Sequence, residues 1–296
     1  MTAEGKTRAS VPLRSLKTLW FNTGSLCNLS CPHCFMESSP RNDALAYLTS
    51  REVLEYAMRA RKIGQPLEEA GLTGGEPFMN PEIIPMISGL LDMGLRVLVL
   101  TNALKPFENH LREVGSLNAA HPRQLTLRVS LDHFTPEKHD EERGHGNFDR
   151  TLQNIRSALD AGLTLNIAGR RLWGETEAQV RAGFGALFQK HSFSLDLARD
   201  LVVFPEMQPG NHEVPEITTD CWSILKLDPA SLMCASSRMV IKRRGAEKPT
   251  VVSCTLLPHD PFFDFGPELW SSLRPVALKH EHCSKFCVLG GASCST

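Results

Sequence analysis

Six short apolar runs, each followed by a helical pattern except the last, recur at similar spacing along the first two-thirds of this chain. They fall at 18–21, 69–73, 97–101, 125–131, 163–167 and 201–204. The helical patterns follow the capping box Thr49-Ser50-Arg51-Glu52 and then occupy 81–93, 107–114, 148–161 and 175–190. Strand-helix alternation with strands this apolar demands a parallel sheet covered by helices. The expected fold class is therefore α/β, a partial (β/α)6, TIM-like barrel, with function at the C-terminal ends of its strands. A length of 296 residues suits one large domain, or one domain with a small companion. The formal net charge of -1 gives no electrostatic case for a nucleic-acid or anionic-membrane partner. The polar first fourteen residues contain no signal-peptide core, and no later run approaches the ~20 apolar residues of a membrane span. These features predict a cytoplasmic protein.

Three segments are expected: an N-terminal arm at 1–15, the barrel at 16–207, and a small Cys-rich domain at 208–296. The strand-helix rhythm breaks after Pro205, and the Met-Gln-Pro-Gly-Asn run at 207–211 reads as a linker. Beyond it, runs at 238–242 and 250–254 around Gly245 predict a hairpin, followed by a short helix at 268–273. So few apolar residues would scarcely stabilise a separate domain, which points to metal.

Cysteine placement sharpens that inference. Of nine cysteines, three lie between 27 and 34, none between 35 and 220, and six from Cys221 onward, so the clumping suggests two metal sites. Cys27, Cys31 and Cys34, spaced Cys-x3-Cys-x2-Cys after the first strand, are soft ligands suited to an iron-sulfur cluster or to zinc. With three local ligands a cubane cluster keeps one iron open to a small molecule. A structural zinc would instead recruit His33 or a distant side chain as fourth ligand. After the second strand, Gly74-Gly75-Glu76-Pro77 combines backbone free to approach a ligand with one carboxylate; taken alone it is also an ordinary Gly-Gly turn.

The cysteine triplet after a first strand, paired with Gly74-Gly75-Glu76-Pro77 after a second, resembles the radical S-adenosylmethionine (radical SAM) superfamily. The resemblance implies an incomplete six-fold barrel over roughly 16–207. It implies a 4Fe-4S cluster on Cys27, Cys31 and Cys34 whose open iron chelates S-adenosylmethionine. The Gly74-Gly75-Glu76-Pro77 loop would receive the cofactor's amino group. Ser130, in Val129-Ser130-Leu131-Asp132, would meet its ribose and carboxylate, and Arg143 would grip the carboxylate bidentately. Asn102, Asn166 and Val203 would lie near the sugar and adenine, and Phe35 would pack on adenine or fill the core. The alternatives for Ser130 and Arg143 are a strand-end turn and a solvated charge cluster.

Cys234, Gly245, Cys254 and then Cys283-x3-Cys287-x6-Cys294 resemble the family's auxiliary-cluster domains, called SPASM and, in shorter form, twitch. The spacing departs from the full pattern: five candidates suffice for one four-cysteine cluster and fall short of two. A second, auxiliary 4Fe-4S cluster is therefore expected, with zinc as its competitor. Cys221 is a further ligand, a substrate-facing thiol or a buried small residue. The expected partners are a flavodoxin- or ferredoxin-type reductant and a peptide or small-molecule substrate. No N-terminal extension here is long enough to recognise a leader, so a peptide would need a separate recruiter. The competing function is a metal-stabilised binding or scaffold protein with a degenerate barrel and structural zinc.

Overall fold

The computed structural model describes residues 2–205 and 214–294. The linker expected at 207–211 lies outside the described residues. The described strands are β1 (Ser10–Val11), β2 (Thr18–Asn22), β3 (Glu69–Thr73), β4 (Arg96–Thr101), β5 (Leu125–Ser130), β6 (Thr164–Arg170), β7 (Leu201–Phe204), β8 (Ser237–Ile241), β9 (Thr250–Val252) and β10 (Val276–Ala277). The helices are α1 (Ser50–Lys62), α2 (Ile83–Asp92), α3 (Lys105–Ala120), α4 (Pro136–Arg143), α5 (Asn147–Asp160), α6 (Glu177–Lys190) and α7 (Cys221–Leu225). One open sheet runs β7-β6-β5-β4-β3-β2-β8-β9, parallel throughout except for the terminal β8–β9 hairpin.

Side chains alternate across this sheet with the period of two that a strand imposes. Leu19, Phe21, Val97, Val99, Leu127, Ile167 and Val240 face the helices and form one buried cluster with their apolar stripes. Trp20, Leu98, Met239 and Ile241 face the other way. α1 begins as the sequence predicts: the Glu52 amide donates to Thr49 Oγ1 at 3.2 Å, and the Thr49 amide donates to Glu52 Oε2 at 2.9 Å. Glu52 Oε1 also pairs with Lys242 Nζ at 2.6 Å, tying the first helix to the end of β8.

Two expectations change. The C-terminal segment does not stand apart as a satellite: β8 pairs in parallel with β2, and Leu232, Met233, Leu256, Phe263, Val276 and Phe286 share one cluster with the concave face of the barrel. A segment too poor in apolar residues to bury its own core instead covers someone else's. The N-terminal arm is likewise held. β1 pairs with β10, the Leu278 amide donates to the Ala9 carbonyl at 2.9 Å, the Arg14 amide donates to the Ala235 carbonyl at 2.8 Å, and Ala9 and Val11 are fully buried. α4 was not expected, because its eight residues Pro-Glu-Lys-His-Asp-Glu-Glu-Arg carry no apolar stripe. Among the described residues no helix is long and apolar enough to cross a membrane.

Removing residues 1–15 should therefore destabilise the protein by on the order of 3 kcal/mol, the worth of a buried valine and two or three backbone hydrogen bonds. Urea titration of full-length and truncated chains measures this, and equal midpoints would return the arm to solvent.

Candidate functional site

The loop after β2 is held against the loop after β3 by backbone. The Gly75 amide donates to the Gly24 carbonyl at 2.8 Å and the Glu76 amide to the Leu26 carbonyl at 3.1 Å. A Cβ on Gly75 would come within 2.0 Å of the Leu26 carbonyl oxygen, and one on Gly74, at φ +145°, within 2.5 Å of the Gly24 carbonyl oxygen. The glycines thus serve first to let two loops close on each other. Both also line the cavity at the C-terminal strand ends.

Cys27, Cys31 and Cys34 face that same cavity. Amide donors already point at two sulfurs: Leu29 N lies 3.4 Å from Cys27 Sγ and Ser38 N lies 3.4 Å from Cys34 Sγ. Burial pushes the Cys27 thiol up to about 12 and raises that of Cys31, which Arg143 opposes. The metal-free Cys27 and Cys31 thiols are held protonated by that burial, so thiolate ligation there must release protons. Among the described residues no three His, Cys, Asp or Glu side chains converge tightly enough to hold a single ion; the three thiols border a space instead.

Behind the loop lies a buried ionic network. Arg143 Nε and Nη2 donate to Asp132 Oδ2 and Oδ1 at 2.6 and 3.0 Å, and both residues line the cavity. Burial alone would raise the Asp132 carboxyl, but the Arg143 guanidinium reverses this and holds it below the usual range. Glu142 Oε1 meets His33 Nδ1 at 2.6 Å, and its other oxygen accepts from Arg170 Nη1 at 3.2 Å. Arg170 Nη2 donates to the His33 carbonyl at 3.0 Å, and its guanidinium sits 5.0 Å from the Phe35 ring centroid. α4 and β6 therefore grip the stretch between Cys31 and Cys34. Sequence reading missed Asp132, Glu142 and Arg170; the only signal was charge standing at strand ends and beside Arg143.

Asn102 and Ser130 border the cavity at the ends of β4 and β5, with Asn102 Nδ2 donating to Asn28 Oδ1 at 2.9 Å. Phe35 also lines it. Glu76 and Pro77 are buried and stand behind the wall. Glu76 accepts from Thr101 Oγ1 and from the Asn102 amide, both at 2.8 Å, and burial raises its carboxyl to about 7 against those hydrogen bonds. Asn166 shares the concave face with Ala168 but sits one residue pair deeper, below the cavity. Val203 is a correction: it packs with the helix-facing cluster, and by strand alternation its neighbour Phe204 takes the cavity position.

Four C-terminal thiols gather elsewhere. Cys234, Cys254, Cys283 and Cys287 line a small cavity, the last two on one face of the π-helical turn Cys283–Leu289. Burial pushes Cys234, Cys254 and Cys283 up to about 12. Beside them Arg238, fully buried, donates only to carbonyls, those of Ser272, Cys234, Ser237 and Arg274, and burial lowers it to about 10. Cys294 borders the first cavity instead. Cys221 is half-buried in α7, with its sulfur 3.4 Å from the Thr218 amide nitrogen.

An open parallel α/β barrel with three thiols on its first loop and a cavity at its strand ends defines a cofactor-binding class of protein. The model of the radical SAM superfamily matches residues 21–176, more than half of the chain. The chain belongs to that superfamily. Among curated proteins it is 28% identical over 169 residues to the antilisterial bacteriocin subtilosin biosynthesis protein AlbA of Bacillus subtilis, covering 57% of this chain and 35% of that protein. It is 36% identical over 144 residues to the AdoMet-dependent heme synthase of Methanosarcina barkeri, covering 48% and 38%. A probable GTP 3',8-cyclase of Methanocaldococcus jannaschii matches at 27% over 154 residues, covering 51% and 48%. The chain thus spans between about a third and a half of these relatives' length. In fold it resembles Streptococcus suis SuiB bound to S-adenosylmethionine (TM-score 0.61, 10% identity, 86% of this chain and 64% of that one). It also resembles native anSMEcpe with bound AdoMet (TM-score 0.62, 13% identity, 93% and 84%).

Two outcomes follow from the geometry. Gly75→Ala should keep a cooperative unfolding transition yet lose iron from the first site, because the clash is with backbone at the cysteine loop; unchanged iron content would show that the loops tolerate separation. The raised carboxyl of Glu76 binds its proton more tightly folded than unfolded, so stability of the metal-free protein should fall as pH rises from about 4.5 to about 7, by on the order of 3 kcal/mol. Denaturant midpoints across that range, compared with Glu76→Gln, measure the contribution, which the variant should lack.

Proposed function

We propose that this chain is a radical SAM enzyme that reductively cleaves S-adenosylmethionine and uses the resulting radical to abstract hydrogen from a peptide or small-molecule substrate. The observation that carries this reading is the convergence of Cys27, Cys31 and Cys34 on the cavity that Gly74, Asn102 and Ser130 border from three successive strand ends. The donor set fits a 4Fe-4S cluster: three soft ligands, two of them already facing amide donors, with space in front of them. Bound there, a reduced cluster would supply one electron to the sulfonium of S-adenosylmethionine, whose carbon-sulfur bond would break to give methionine and a 5'-deoxyadenosyl radical.

The remaining work falls to the chain. Gly74 and Gly75 offer backbone to the cofactor's amino group, with Glu76 behind them as a carboxylate. Ser130 and the Nη1 side of Arg143, which Asp132 leaves unused, address the methionyl carboxylate. Asn102 serves the ribose. Apolar Leu100, Ala168, Phe204 and Phe286 keep water from the radical.

Cys234, Cys254, Cys283 and Cys287 are the ligands we assign to an auxiliary 4Fe-4S cluster of the SPASM or twitch kind. Arg238 supports this: a fully buried cation with no carboxylate partner is stabilised by an anionic thiolate-ligated centre beside it. Structural zinc is the competing occupant. A peptide substrate is suggested by likeness to a subtilosin biosynthesis protein and to SuiB, whose structure with precursor peptide SuiA has TM-score 0.62 to this one at 11% identity. A nucleotide or other metabolite is suggested by the cyclase and heme synthase relatives. A flavodoxin- or ferredoxin-type protein would reduce the cluster, in the cytoplasm. The scaffold alternative is not favoured, since a binding module has no use for thiols bordering an open cavity.

Changing Cys27, Cys31 and Cys34 together to Ala should abolish 5'-deoxyadenosine formation by the dithionite-reduced protein. Iron and sulfide should analyse near about eight each per wild-type chain and about four in the triple variant. Retained 5'-deoxyadenosine would sink the assignment, and about four iron with one zinc in wild type would make the second site structural zinc.

A further inference from the structure

Arg238 on β8 is a fully buried cation whose hydrogen bonds are met but whose charge is not. Its guanidinium donates to four carbonyls at 2.6 to 3.1 Å, and these dipoles bring no net charge. It sits 5.4 Å from the centroid of Phe265, a ring it shares with a second cation, Arg274, at 4.8 Å. The ionisable side chains that would favour its charge are Cys234 and Cys254, both on the second cavity. Free thiols are mostly neutral at neutral pH, whereas four thiolates around a 4Fe-4S centre or a zinc ion make a negative unit. The charge of Arg238 is therefore compensated only when that site is filled.

The same strand reaches the first site. β8 lies in parallel against β2, with Arg238 opposite Leu19. Just beyond β8, the Ala46 amide donates to the Lys242 carbonyl at 2.7 Å and the Arg244 amide to the Ala44 carbonyl at 2.9 Å. Between those two bonds the Leu45 carbonyl accepts from the Ser25 amide at 3.0 Å, two residues before Cys27. The strand and the residues that lead into the first cysteine loop thus rest on β8 and the turn after it.

Resting on the second cysteine site assigned above, we propose that Arg238 is a positioning residue that makes the docking of β8 on β2 depend on an anionic metal centre at Cys234, Cys254, Cys283 and Cys287. The second site is then filled first, and the first cysteine loop takes its final shape afterwards. Without metal, an uncompensated guanidinium favours the segment lifted into water, where the charge is hydrated. With metal, the same charge holds the segment down, so metal binding and docking of the segment become one event.

Hydrogen exchange on the full-length chain with Cys27, Cys31 and Cys34 changed to Ala, which can load only the second site, tests this. Filling that site should slow exchange of the β2 and β8 amides by on the order of tenfold or more. Added to that chain, Arg238→Gln, which removes the charge and retains amide donors, should erase most of the gain, while Arg238→Lys, which retains the charge, should keep it. Hydrogen bonds lost to the four carbonyls weaken the filled and metal-free forms alike, so the difference between the forms isolates the charge. A chelator should also strip second-site iron from the Arg238→Gln chain on the order of ten- to a hundredfold faster than from its parent. An equal gain with and without the charge would overturn the proposal. So would β2 and β8 amides as protected in the metal-free chain as in the filled one, a comparison that needs no change at Arg238. Zinc in place of iron at the second site would overturn the cluster assigned above and, with the gain intact, support this inference, because a four-thiolate zinc centre is also negative. A second site that takes up neither metal would overturn both.

Discussion

Six parallel strands present two apolar faces, and crossover helices can cover only one of them. A closed barrel fills the second face with its own layers of side chains. Here the sheet stays open, and the covering of the concave face falls to the C-terminal segment, with Trp20 and Leu98 buried against Met233, Leu256 and Phe286. That single burial explains why the segment can be so poor in apolar residues. It also explains why the two sets of cysteines lie on either side of one shared wall, with Leu256 bordering both cavities.

Charge is handled by the same economy of partners. Asp132, Glu142, Arg143 and Arg170 are all largely buried, which would cost several kcal/mol per ion if any stood alone. Arranged as two carboxylates against two guanidiniums, with His33 on the outer oxygen of Glu142, they neutralise one another and fix the backbone between the second and third cysteines. Pairs of this kind seldom raise stability above that of an apolar packing. Their worth here is geometric: a loop of small and polar residues receives one conformation.

Much of the scaffold was legible from the chain. β3 and β7 fall on their expected limits, and α1 starts at its capping box, because short β-rich runs and Thr-x-x-Glu signals act locally. The cysteine loop and its glycine-rich neighbour were legible too, because spacing alone brings their ligands together. The rest depended on tertiary context. α4 has no apolar stripe, since it buries His139 and Glu142 where a helix usually buries leucines, so periodicity could not find it. Val203 and Phe204 differ only in which face a strand of four residues presents, and that register is set by pairing with β6. The tethered N-terminal arm and the embedded C-terminal segment were invisible because each finds its partner far along the chain.

That distance has a consequence for how the molecule is made. β2 lies between β3 and β8, so the strand that launches the cysteine loop has a neighbour on one side from the first third of the chain and on the other from the last. During synthesis its second edge stays unpaired until β8 leaves the ribosome, and pairing across so long a separation is slow because loop closure must precede any gain. An exposed parallel edge beside an uncovered Trp20 is the kind of surface that associates with other chains. The first cysteines therefore meet their final surroundings, Phe286 and Cys294 among them, only after the last ones have been made.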